Sequence, residues 1–453
     1  MPRLCRRGAI PAARLEDLPR NGMAPPVQGC PGPTGNAVRK DPDTMTALDM
    51  TFVRAQFPAF ASPVLSTHAF FENAGGSFPC RQVVDRLHRF YTDRKVQPYA
   101  PYPGAQAGGA EMDEARDRLA ALMGVARHEV SFGPSTSANT YVLAQAVRKW
   151  LSGRDLAIVV TDQDHEANSG VWRRLADEGI EVREWRLDPA TGSLDPAALE
   201  ALLSDGKVRL VCFPHCSNVV AEINDVAAIC VLARAAGART VVDGVSYAPH
   251  GFPDIPALGC DVYLFSAYKT YGPHQGIMVI REAFGMELPG QAHFFNNGTL
   301  YKRFTPAGPD HAQIAACAGM ADLIDALAAH HGISGDPAAR NRGVHDLMRA
   351  QEVAVIAPLL DYLAGRNDLR LIGPRDAARR APTVAVDLGR AAEPVSEELG
   401  RRGIACWAGD FYAVRPLTAM GVDLEKGVLR MSAVHYTSAG DVDRLIAALD
   451  AVL

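Results

Sequence analysis

Short apolar runs alternate with helical periodicity through the middle of this chain. The runs fall at 156–161, 180–185, 208–213, 240–243, 262–266 and 277–280, each of a length suited to a buried strand. Between them, stretches near 167–178, 195–203 and 225–236 repeat apolar residues at helical spacing. This alternation predicts a mostly parallel sheet covered by helices on both faces, with ligands bound at the carboxyl ends of the strands. Upstream, Val83, Val84, Leu87, Phe90 and Tyr91 mark one helix, and Met112, Ala115, Leu119, Leu122 and Met123 mark another. Downstream, a long helix from His311 to about Ala328 and another near 343–365 open a second unit. Strands near 383–388 and 428–434 and helices near 394–402 and 440–452 complete it. The expected division is a large α/β domain over 45–311, whose N-terminal segment contributes to the small domain, and a smaller α/β domain over 312–453.

Residues 1–44 break the pattern. They hold eight prolines, five glycines, seven basic and four acidic residues, and no apolar period. No apolar core follows the early arginines, which argues against a secretory signal. The expectation is a disordered leader, or translated sequence upstream of a start at Met45 or Met50.

Composition adds exclusions. With 48% apolar and 21% charged residues in 453, the chain is ordinary globular protein with ample length for a core. A formal charge of −5 supplies no strong basic field, which argues against nucleic acid as the main partner. No run of 18 apolar residues argues for a membrane span. The nine cysteines are irregularly spaced, and Cys212 and Cys216 have no second pair to complete a zinc pattern. Buried or idle thiols in a reducing cytoplasm are the expectation, with no metal site.

Chemistry concentrates at the predicted strand ends. Lys269 lies just past the run 262–266, between small and aromatic residues and before Gly272-Pro273. Partial desolvation there frees the amine as a nucleophile. By itself the position suits a surface lysine at a strand end equally well. The run 240–243, ending in Asp243 26 residues earlier, changes the balance. In a parallel sheet both ends open on one edge. An imine-forming lysine beside an acid that keeps a pyridine nitrogen protonated is what pyridoxal 5'-phosphate requires. Gly133-Pro134-Ser135-Thr136-Ser137-Ala138-Asn139 precedes a helix and suits a phosphate, although Ser and Thr are also common caps. Asp162-Gln163-Asp164-His165-Glu166-Ala167-Asn168 offers a histidine able to stack on a planar ring.

Together these segments resemble the class V aminotransferases, and among them the cysteine desulfurase-like group. The resemblance covers about 70–453. It begins at Phe71-Glu72-Asn73-Ala74-Gly75-Gly76 and continues through 133–139, 164–168, Ser217-Asn218, 243–250, 266–269 and Arg430. It implies the fold type I architecture of pyridoxal-phosphate transferases and a homodimer whose partner closes the site, with 303–311 as the candidate cross-dimer segment. It implies that Lys269 carries the cofactor as a Schiff base and shuttles protons at the substrate Cα, with His165 stacked on the ring as the other catalytic candidate. Asp243 is matched to the pyridinium partner, and Ser135, Thr136 and Ser266 to the phosphate ligands. Asn218, Gly75 and Arg430 fall at substrate positions, Arg430 as the residue that grips the α-carboxylate.

Several positions depart from the family pattern. Ser246 stands where a glutamine usually touches the ring hydroxyl, and Tyr268 where a histidine usually precedes the lysine. Trp407 and Tyr412 occupy the positions of a desulfurase arginine and mobile-loop cysteine. Cys406 lies six residues from the latter. A persulfide relay needs an activated thiolate, so these changes argue against cysteine desulfuration by that route. The expected function is Cα chemistry on a small-molecule amino acid, as an aminotransferase or C–S lyase. Cysteine desulfurase and epimerase are alternatives, and a non-catalytic scaffold on the same fold is the reading from another class.

Overall fold

The computed structural model describes residues 47–306 and 308–453; the expected leader lies outside them. Its strands are, in order, β1 (Ala69–Phe70), β2 (Val130–Gly133), β3 (Ala157–Thr161), β4 (Glu181–Trp185), β5 (Val208–Pro214), β6 (Arg239–Asp243), β7 (Val262–Ser266), β8 (Gly276–Ile280), β9 (Arg370–Ile372), β10 (Thr383–Asp387), β11 (Ile404–Ala405), β12 (Trp407–Gly409) and β13 (Val428–Ser432). A seven-stranded sheet has the order β2-β8-β7-β6-β5-β3-β4. Only β8 runs against its neighbours, so the other six strands point their carboxyl ends to one edge. A four-stranded antiparallel sheet has the order β12-β13-β10-β9. β1 pairs in parallel with β11.

The large sheet is apolar on both faces, because strand side chains alternate between them. Val159, Val211, Phe213, Val242 and Phe265 join one core, beneath helices Arg81–Asp93 and Pro103–Met123. Ile158, Val160, Leu210, Cys212, Val241 and Leu264 join the other, beneath helix Thr136–Leu151.

Four expectations shift. The apolar stretch beginning at His311 forms two helices, His311–Ala316 and Ala318–His330, joined at Cys317. It is long and apolar enough to cross a membrane by composition, yet most of it is buried against the first core. Along helix Pro337–Ala364, residues up to Met348 join that core, and residues from Val355 onward join the core of the small sheet. The expected break after His311 therefore falls within the first core. The helix predicted near 343–365 starts earlier, where Pro337 follows an Asp336 cap that accepts from the Ala339 N–H. Finally, Val84 and Tyr91 face water while Val83 and Phe90 are fully buried, so the helix carries a narrower apolar stripe than its sequence implies.

Candidate active site

Strand polarity brings the chemistry together. β2 ends before Ser135 and Thr136, β3 before Asp164 and His165, β5 before Asn218, β6 on Asp243 and β7 on Ser266, three residues before Lys269. These residues line one cavity of about 1010 Å3. Gly75, Ser135, Thr136, His165, Asn218, Asp243, Ser246, Ser266, Tyr268, Lys269 and Arg430, all the positions singled out from the sequence, face it together.

At one end, hydroxyls gather at the start of helix Thr136–Leu151. Ser135 caps it by accepting from the Ala138 N–H at 3.1 Å, and the Thr136 and Ser266 hydroxyls are 2.8 Å apart. The approach depends on Gly276 of β8. A Cβ there would lie 2.3 Å from the Ser135 carbonyl carbon and 2.7 Å from the Thr136 nitrogen. Register aligns Gly276 with Gly133 on one side and Ser266 on the other.

The titratable groups are tuned mainly by burial. The Lys269 amine is pulled down to about 8 by burial and by the Arg430 charge, against the pull of Asp243. Asp243 is pushed up to about 6 by burial, although Val245 N–H donates to its Oδ1 at 2.8 Å and Lys269 favours its charged form. His165 is pulled down to about 4 by burial and by the Lys269 and Arg430 charges. Its Nδ1 accepts from the Ala167 N–H at 3.1 Å, so the ring is neutral with its hydrogen on Nε2. Asp164 is raised well above the carboxylate range by burial and by Asp243, and its Oδ1 is buried without a partner.

A strap at 409–412 covers the opposite side. The Phe411 carbonyl accepts from Asn218 Nδ2, and the Tyr412 carbonyl from the Glu166 N–H, both at 2.9 Å. Phe411 and Tyr412 both hold left-handed backbone, at φ 54° and 56°, a conformation that costs a bulky residue on the order of 1 kcal/mol. Phe411 lies over the Arg430 guanidinium, 3.7 Å from ring centroid to Cζ. Trp407 pairs across the sheet with Arg430, and Tyr412 sits beside His165 with ring centroids 5.6 Å apart.

Tyr141, Cys216, His274 and Phe411 also line the cavity and carried no local signal of their own, and Asp164 stood in a quoted motif without a role. Glu72 stood in a quoted motif without a role; it forms an ion pair with Arg430 at 2.7 Å. Cys406 is absent from the lining and packs beside the core of the small sheet, where burial and Glu72 push its thiol up to about 12.

A layered α/β fold that brings a lysine and an acid from strand ends together with an arginine of the small sheet defines a class of small-molecule enzymes. The family model "Aminotransferase class-V" matches residues 69–445, and the chain belongs to that family. It is 32% identical over 415 residues to the aminotransferase-like protein FGM3 of Gibberella zeae, covering 88% of this chain and 98% of that protein. It is 30% identical to a cysteine desulfurase of Yersinia pestis, covering 88% and 97%. The fold is shared with the cysteine desulfurase CsdA of Escherichia coli, at TM-score 0.74 and 23% identity over 90% of this chain and 99% of that one.

Proposed function

We propose that this protein is a pyridoxal 5'-phosphate enzyme that breaks the Cα–H bond of an amino acid, acting as an aminotransferase or a C–S lyase. The observation that carries this reading is the convergence of Lys269, Asp243, His165 and Arg430 in one cavity.

The donor set fits the cofactor. Ser135, Thr136, Ser266 and Tyr268 would hold its phosphate at the helix start, where backbone N–H groups favour an anion. Asp243 would meet the ring nitrogen, Ser246 would lie toward the ring hydroxyl, and His165 would cover a ring face. Among the described residues the Asp243 carboxylate accepts only from the Val245 N–H, and Lys269 has no ion-pair partner, so both groups are free for that use. Bound there, the cofactor supplies an electron sink for the pair left when the Cα–H bond breaks.

The chain's own groups do the rest. An amine near 8 is unprotonated in roughly a tenth of molecules at about pH 7, far more than an ordinary lysine, so Lys269 can take a proton from the substrate Cα and return one. Arg430 offers a planar fork to the α-carboxylate, and Phe411 excludes water from its face. Asp243 is anionic above about pH 6 and holds positive charge opposite it. Neutral His165 supplies an aromatic face without adding charge beside Lys269. Tyr412 at the strap and the raised thiols of Cys216 and Cys406 disfavour a persulfide route through the described cysteines.

Class V enzymes are generally dimeric processors of amino acids, and we propose a cytoplasmic homodimer in which 303–311 approaches the partner's site. The deciding experiment mixes the cofactor-loaded protein with a panel of amino acids and measures keto acid, pyruvate and sulfide separately. Amino transfer to a keto acid supports the aminotransferase, and pyruvate with sulfide from cysteine supports the lyase. No product from any amino acid, despite retained cofactor, overturns both.

A further inference from the structure

Arg430 enters the cavity already engaged. Its Nη2 donates to Glu72 Oε1 at 2.7 Å, while its Nη1 reaches only the Asn218 carbonyl, at 3.5 Å. Arg430 Nε and Glu72 Oε2 are both buried without a partner. A guanidinium satisfied by a matched carboxylate would use two parallel N–H donors. Glu72 uses one and leaves donor capacity unspent. The pair is thus a partial occupancy of an arginine whose full complement is a better-placed carboxylate.

The backbone holds Glu72 in this position. The preceding Phe71 carbonyl accepts from the Ser432 N–H at 2.7 Å and from its hydroxyl at 3.2 Å, which fixes Glu72 beside the end of β13. Gly75 leaves the space that the carboxylate fills, since a Cβ on Gly75 would lie 2.4 Å from Glu72 Oε1. Phe411 closes over the guanidinium from the other side.

We propose that Glu72 is an internal carboxylate that occupies Arg430 between turnovers and is displaced by the α-carboxylate of the substrate. This rests on the assignment of Arg430 to the substrate under the proposed function. Glu72 is then a positioning residue with a selective effect. An incoming carboxylate exchanges one anion for another at Arg430, whereas an amine without a carboxylate has nothing to put in its place. Leaving one member of a buried ion pair without a partner is strongly unfavourable, so ligands of the second kind leave the Glu72 pair intact.

Propionate tests this, because it carries a carboxylate but no amine with which to react. Its binding to the full-length protein, supplied with pyridoxal phosphate, is followed by intrinsic fluorescence, with Trp407 at the cavity as a reporter. Glu72→Gln keeps the side-chain shape and removes the competing charge. It is expected to bind propionate roughly tenfold or more tightly than the wild type, the scale of one hydrogen bond to a charged group. Gly75→Ala pushes the same carboxylate aside and is expected to tighten binding in the same direction by a smaller factor. Arg430→Gln abolishes binding with either residue at position 72.

Binding to Glu72→Gln that is equal to or weaker than wild type overturns the proposal, because Glu72 then orients Arg430 instead of competing for it. Should Glu72→Gln fail to fold, Gly75→Ala decides by the same criterion. The series is repeated in Lys269→Ala, where the covalent anchor is gone. A Glu72 effect that persists in Lys269→Ala, together with a Lys269-intact protein that never retains cofactor, overturns the proposed function alone. Retained cofactor without a Glu72 effect overturns this inference alone.

Discussion

Asp243 and Lys269 come from neighbouring parallel strands, the acid closing β6 and the amine standing three residues past the end of β7. Each charge favours the other, yet burial dominates both, raising the acid to about 6 and lowering the amine to about 8. The sheet thus maintains two destabilised charges within one cavity, a common mark of a catalytic site.

Lys269→Ala tests the anchor. The wild-type protein should turn yellow with pyridoxal phosphate, and borohydride should fix the added mass on the peptide containing Lys269. The alanine variant should do neither, and turnover should fall roughly 10²–10⁴-fold, the range for losing a positioned acid–base group. Colour and fixed mass retained by the variant would place the anchor elsewhere.

Asp243→Asn separates function from stability. The variant should lose roughly 10²–10³-fold in turnover, as for loss of a preorganised charge. Because the folded acid is raised from 3.8 to about 6, its stabilising contribution is present below its unfolded value and is lost as pH rises through about 6. The cofactor-free variant should therefore be more stable than wild type at pH 8, by roughly 2–3 kcal/mol. That gain should vanish below about pH 4. Urea unfolding at the two pH values measures it.

Gly276→Ala probes the phosphate end. The new methyl meets backbone of Ser135 and Thr136 instead of a flexible side chain. Overpacking of this kind costs roughly 1–3 kcal/mol. It should also weaken retention of pyridoxal phosphate during dialysis. A variant of unchanged melting temperature and unchanged cofactor retention would contradict the close approach.

Phe411→Ala removes the cover over Arg430 while leaving the backbone carbonyl that Asn218 binds. A cation–π contact is worth roughly 0.5–2 kcal/mol, so KM for the amino acid should rise severalfold with cofactor retention unchanged. Loss of cofactor instead would assign Phe411 to the other side of the cavity.

Cys406→Ser should leave amino-acid turnover and any sulfide release unchanged. Its thiol is pushed up to about 12 and does not face the cavity. Abolished sulfide release would restore a thiol relay to the mechanism.

Much of this was legible in the chain itself. The runs ending near Thr161, Phe213, Asp243 and Ser266 reveal strands because a two-sided buried sheet demands continuous apolar sequence. Since parallel strands share an edge, the residues just beyond them, Lys269 and Asp243 above all, could be expected at one site. The extent of the cores was not legible. Helix Ala318–His330 is apolar whichever sheet it serves, and only its packing assigns it to the first core. The same holds for Glu72 and Phe411. Their meeting at Arg430 joins residues 358 and 19 positions away, through strand register and a strained turn that no local pattern encodes. Local propensity and periodicity determined the elements and the candidate chemistry. Long-range contacts alone decided which charges face one another, because those depend on where distant segments stop and turn.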